Sequence, residues 1–202
     1  VAATNPKKGL ARLDERLNTE FARALNLGTP ALAAAAAIVA DVAAAVGAYT
    51  ILSGVRTDLT PSRNVTVTMT QAGGVNDTVG TVTVTGTNVE GDVITEAIVP
   101  VIGSTVAGTK AFATVTGVSH AGWVAGGTAD RITVGWGTKI GLPASGWDLA
   151  NAVSDFILCL LGGVNIAATY TWDTDEPEKN TVDASSGTYN GTKRLTVLVQ
   201  AS

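Results

Sequence analysis

Valine and threonine alternate residue by residue in two stretches of this chain, Val65-Thr66-Val67-Thr68-Met69-Thr70 and Thr81-Val82-Thr83-Val84-Thr85. A period of two puts every apolar side chain on one face and every threonine on the other, which is the signature of a strand with one face buried. Further apolar or alternating runs follow at residues 93–101, 111–118, 131–136, 156–161, 164–172 and 195–199. Between them stand turn residues: Gly73-Gly74, Asn76-Asp77, Asn88 to Asp92, and the pair Gly162-Gly163, which predicts a two-residue hairpin. Gly103 and Gly108 bracket a predicted loop, and the stretch Gly135 to Gly141 reads as a strand end and turn. Short strands at this spacing predict a mainly β protein, an antiparallel β-sandwich or barrel-like domain.

Residues 1–47 read differently. Leu10, Leu13, Leu17, Phe21 and Leu25 recur at spacings of three and four, the stripe of an amphipathic helix, with Asn26 and Gly28 as its stop. Thr29-Pro30 then restarts a helix through the alanine-rich run to Val46, since alanine has the highest helix propensity. The expected organisation is a helical N-terminal arm over 1–47, a sandwich domain over 48–143, and a C-terminal β extension over 144–202 packed on the same domain. The extension carries seven acids and three bases.

The 202 residues are 46% hydrophobic but only 15% charged, against roughly 25% in an average domain. Thirteen Lys and Arg against seventeen Asp and Glu give a net charge of −4, which argues against nucleic-acid binding through phosphates. No apolar core follows Lys7-Lys8, so no signal peptide is expected there, and the alanine run with its Asp41 is a poor membrane span. One Cys and one His exclude a disulfide framework within the chain and a Cys/His zinc site. Cys159 lies in an apolar run and is expected in the core. Any histidine mechanism must pass through His120, which reads as an ordinary loop histidine, and no Gly-x-Ser-x-Gly elbow occurs. Asp173-Thr174-Asp175-Glu176-Pro177-Glu178 begins like a calcium loop but lacks the glycine and glutamate that an EF-hand requires, so a solvated acidic turn is expected. Gly135 to Gly141 matches no phosphate-loop pattern. The sequence therefore predicts no catalytic residue, no metal and no cofactor.

Several phrases in order carry a resemblance. These are residues 53–65, with Pro61-Ser62-Arg63-Asn64-Val65 at the end; Gly80 to Asn88; Gly91-Asp92-Val93-Ile94-Thr95-Glu96; Gly108-Thr109-Lys110-Ala111-Phe112; and Gly137-Thr138-Lys139-Ile140-Gly141-Leu142-Pro143. A weaker echo stands at Asn190-Gly191-Thr192-Lys193. Over about residues 50–143 the chain resembles structural proteins of tailed-bacteriophage particles, of the capsid decoration type. The resemblance implies a non-enzymatic role on the head exterior, assembled in the host cytoplasm. Its implied partners are the major capsid protein and further copies of itself, a trimer being favoured, with no nucleic acid and no membrane. The resemblance does not reach the N-terminal segment; as an arm laid on a neighbour or the shell it supplies the candidate contact residues Lys7, Lys8, Leu10, Leu13, Leu17, Phe21 and Leu25, and the equal alternative is that the same stripe packs on a sheet of its own chain. The alternatives are a tail or neck protein of the particle, or a carbohydrate-binding sandwich presenting Trp123, Trp136 or Trp147.

Overall fold

A computed structural model describes residues 22–52, 61–70, 77–124, 130–143, 156–184 and 189–200. Fourteen strands occupy them, and every ladder between named strands is antiparallel. In chain order they are β1 (Ala22–Asn26), β2 (Ala34–Ala43), β3 (Gly47–Ala48), β4 (Arg63–Thr70), β5 (Thr81–Thr87), β6 (Val93–Ile98) and β7 (Ser104–Phe112). The second half holds β8 (Thr114–Ala121), β9 (Arg131–Gly141), β10 (Phe156–Leu161), β11 (Val164–Asn165), β12 (Thr169–Thr171), β13 (Thr181–Asp183) and β14 (Leu195–Gln200).

The largest sheet runs β12-β13-β9-β4-β7, and β2 also pairs with β9. Strand β9 is eleven residues long, so one of its edges serves two partners: β2 along Arg131–Trp136 and β13 along Lys139–Gly141. A second sheet, β3-β8-β5-β6, faces the first in a sandwich-like arrangement. Their shared core is built by the alternation itself: Val65, Val67 and Met69 of β4 and Ile132 and Val134 of β9 meet Val82 and Val84 of β5, Ile94 and Ile98 of β6, and Val115 and Val118 of β8. Each such side chain stabilises the fold by about 1.5–3 kcal/mol relative to exposure. The third sheet, β1-β14-β10-β11, closes a second core, in which Leu25, Cys159, Leu161, Leu195, Val197 and Val199 pack with Ile140 of β9 and Val182 of β13.

The helical expectation for the described part of residues 1–47 is corrected. Ala22–Asn26 is a strand paired along its whole length with β14, with Leu25 and then Leu27 turned into the second core. Ala34–Ala43 is a strand on β9, with Ile38 and Val39 in the first core. An alanine helix would bury little apolar area. As a strand the same tract brings its backbone against Gly135, where any side chain would collide, so tertiary pairing overrides intrinsic propensity. Gly28, expected to end a helix, ends a strand at φ +82°.

Two further expectations are corrected. The loop expected between Gly103 and Gly108 is strand from Ser104 onward, and the turn expected at Gly135–Gly141 is the body of β9. Gly103 takes a positive φ of +75° in open space, whereas the strand glycines are there for clearance. A Cβ on Gly141 would overlap the Ser62 hydroxyl, and one on Gly86 would overlap the Thr114 carbonyl of β8. The Gly162-Gly163 turn stands as read, joining β10 to β11 with φ +61° and +82°, the positive pair a tight hairpin turn requires; the arm expected to run on over 164–172 does not, since β11 ends at Asn165 and Thr169–Thr171 pairs with β13 in the largest sheet. No helix among the described residues is long and apolar enough to cross a membrane.

Candidate functional site

Three of the phrases that carry the resemblance, those ending at Val65 and beginning at Gly108 and Gly137, meet at Asn64, a 1% exposed residue of the central strand β4. On the β7 side the pairs Asn64–Ala111 and Thr66–Ala107 leave Gly108-Thr109-Lys110 opposite Val65 alone. On the β9 side the pairs Arg63–Ile140 and Val65–Trp136 leave Gly137-Thr138-Lys139 opposite Asn64 alone. Both Gly-Thr-Lys triplets are therefore bulges, one on each side of the same strand. Bulges interrupt the ladder, and the Asn64 amide supplies replacement bonds on both sides. Its Nδ2 donates to the Gly108 carbonyl at 3.3 Å, and its Oδ1 accepts from the Lys139 N–H at 3.0 Å. Gly137 must lack a side chain because a Cβ would stand 2.5 Å from that Oδ1. Beside it, Arg63 is 1% exposed and donates to the carbonyls of Ala31, at 2.9 Å, and Gly137, with its guanidinium 6.0 Å from the Tyr189 ring. One buried cation thus ties the entry to β2, the β9 bulge and the second core together.

Glu96 of β6 reaches across the sandwich to the β7 bulge. Its carboxylate accepts from the N–H groups of Thr109 and Lys110 and from the Thr109 hydroxyl at 2.9 Å. A Cβ on Gly108 would strike that carboxylate, 2.9 Å from its Cδ. Glu96→Ala leaves the two backbone donors to water and unties the sheet edges. It is expected to lower stability by about 2 kcal/mol in urea denaturation, on the usual scale for a charged acceptor. A loss under about 0.5 kcal/mol would show that the seal is incidental.

The acidic turn is held down by lysines. The Asp173 carboxylate accepts from the Asp175 and Glu176 N–H groups at 2.9 and 3.0 Å, an Asx-type turn leading into a 3-10 turn at Pro177–Lys179. Lys110 reaches Glu178 at 2.8 Å and Glu176 at 3.0 Å, and Lys179 pairs with Glu176. Burial opposes the Lys110 charge, but Glu178 and Glu176 outweigh it and raise its pKa above that of an ordinary lysine. Backbone donors lower the Asp173 pKa, and Lys179 with Lys110 lowers that of Glu176. A depressed carboxylate contributes stability above its unfolded pKa and loses it as pH falls through the folded value. Amide exchange at Asp175 and Glu176 is therefore expected to accelerate as pH drops below about 4, beyond the intrinsic trend and with β4 unchanged. Exchange at these two amides that is no slower in wild type than in Asp173→Ala at neutral pH would contradict the clamp.

The single histidine is not in a loop. His120 lies in β8, 2% exposed, with Nδ1 3.0 Å from the Tyr49 hydroxyl and Nε2 2.7 Å from the Val79 carbonyl, between the rings of Tyr49 and Trp123. Its two nitrogens tie the short β3 segment and the entry to β5 to one core position. Cys159 is buried as expected, and burial raises its pKa, with the Tyr170 hydroxyl as its hydrogen-bond partner. Tyr170 stacks on Phe156 at 4.2 Å, with Trp172 edge-on at 6.3 Å. Tyr170 and Trp172 lie two residues apart at β12, and Phe156 reaches them from β10, a pairing of segments that no local pattern announces.

Of the candidate contact residues, Leu25 is 7% exposed and belongs to the second core, while Lys7, Lys8, Leu10, Leu13, Leu17 and Phe21 lie outside the described residues. Trp123 is buried and Trp136 donates its indole N–H to the Leu32 carbonyl, so these two form no exposed platform; Trp147 lies outside the described residues. Fold and site together define an antiparallel β protein whose sequence phrases serve as structural joints. No family model, curated protein or solved structure matches this chain.

Proposed function

We propose that this chain is a non-enzymatic structural component of a tailed-phage particle, bound to the outside of the capsid shell and reinforcing it. The observation that carries the reading is the convergence at Asn64. Phrases spread over about eighty residues of sequence meet as two bulges and their shared amide, which is what a resemblance of scaffold, rather than of composition, requires. His120 in the core, Cys159 beside Tyr170, and the acidic turn on Lys110 and Lys179 each help to hold the fold. A rigid platform of this kind suits a shell that offers many equivalent sites, where modest contacts are multiplied by symmetry. The test is the composition of particles banded in a density gradient. The chain is expected by mass spectrometry at a copy number comparable with the major capsid protein. A few copies per particle would move it to the tail or neck, and absence from particles would overturn the reading.

A further inference from the structure

Strand β6 is an outer strand of its sheet, and its register determines which backbone groups it offers. Asn88 donates to the Asp92 carbonyl at 2.9 Å, closing the β5–β6 hairpin as a hydrogen-bonded pair. Such pairs alternate along an antiparallel ladder, so Gly86–Ile94, Val84–Glu96 and Val82–Ile98 exchange bonds, while Thr87–Val93, Thr85–Thr95 and Thr83–Ala97 do not. The Thr87 carbonyl agrees, since it accepts from Ala113 on the opposite side. The N–H and C=O groups of Val93, Thr95 and Ala97 therefore point away from β5, along an edge with no ladder partner among the described residues. Their side chains are exposed, Val93 by 77%, and Val99 just beyond by 56%.

Natural edges are blunted by lysine, proline or an inward charge. No lysine or proline lies within β6; its one charge, Glu96, is on the inward face with Ile94 and Ile98 and holds the β7 bulge, so it guards that face and leaves the outward groups of Val93, Thr95 and Ala97 open. We propose that β6 is a self-pairing surface, through which two copies of this chain join antiparallel about a twofold axis at Thr95. A twofold demands that outward residues face outward residues, and centring on Thr95 meets this: Val93 faces Ala97 and Thr95 faces itself. Each facing pair exchanges two N–H···O=C bonds, and the sheet becomes continuous across the pair. Charges also permit it, because Asp92 would stand opposite Ile98 and Glu96 opposite Ile94, with no carboxylate meeting another. The strand is only six residues, about 20 Å, so the contact falls short of the roughly 800 Å² per partner of a standard interface. The pair is thus weak and concentration-dependent in solution, and firm only where copies are held side by side.

Sedimentation velocity on the intact chain tests this. Wild type is expected to shift from monomer toward dimer as concentration approaches about 1 mM. Thr95→Lys, which puts a charge at the twofold, and Ala97→Pro, which removes an outward N–H without touching a β5 bond, are expected to remain monomeric with unchanged circular dichroism. Exchange of the Val93, Thr95 and Ala97 amides in wild type should slow about twofold between dilute samples and about 1 mM, where half the chains are paired. A monomer throughout, exchange independent of concentration, or an oligomer that both substitutions leave intact would each overturn the proposal. The pairing does not rest on the particle reading, so either can fail alone.

Discussion

Replacing Gly135 with alanine is expected to cost about 3 kcal/mol or more, among the largest effects a single methyl group has in a folded domain. A Cβ at this position would overlap the Ala34 carbonyl oxygen and stand 2.6 Å from the Ala35 carbonyl carbon and 2.8 Å from that of Ala34. All three are backbone atoms, so no rotamer change relieves the clash. Strand β2 must move off β9, which unpairs Ala34 from Trp136 and disturbs Ile38 and Val39 in the first core. Urea denaturation followed by tryptophan fluorescence reads the change directly. A loss below about 1 kcal/mol would mean that β2 does not lie on β9 as described.

Asn64→Leu is the second large effect. The substitution nearly conserves volume, yet it leaves the Gly108 carbonyl and the Lys139 N–H without their partner in a site that is 1% exposed. Each buried group left unpaired costs about 1–3 kcal/mol, so the expected loss for the two is about 2–6 kcal/mol. Both bulges should loosen together, since one amide serves both. Amide exchange at Lys139 is expected to accelerate along with exchange in the β7 triplet. Acceleration on one side only would show that the two bulges are independent.

These two residues also show what a sequence reveals and what it conceals. The alternation of Val82 and Val84 with threonine was legible because one face meets core and the other does not, and each valine is fully buried. The Gly162-Gly163 hairpin was legible because both positions need positive φ, a demand met within the turn itself. Gly135 and Gly137 were misread as turn residues because their reason lies on other strands: glycine breaks a chain locally, but it also makes room for a neighbouring backbone or amide. The alanine tract was misread for the same cause, since small side chains permit close strand contact as well as helix. The two Gly-Thr-Lys triplets repeat visibly in the sequence, yet nothing local says that Asn64 lies between them. His120 follows a predicted strand and precedes a glycine, which places it in a loop on paper; the strand simply runs on through it.

The shared sheet makes the molecule answer as a unit. Strand β9 contributes Ile132 and Val134 to one core and Ile140 to the other, and Arg63 ties the entry to β2 and the β9 bulge to Tyr189 of the second core. Residues before β2 pair with the end of the chain through β1 and β14, so removing residues 1–28 would strip a strand from the second core. A truncation that removes β1 cannot by itself separate loss of a contact arm from loss of folding.

The proposed role is tested most directly by immunogold electron microscopy of intact particles, with an antibody raised against this chain. Gold spread over the head is the expected result, as an external shell protein requires. Gold confined to the tail or neck, or no labelling of particles in which mass spectrometry also fails to find the chain, would contradict it.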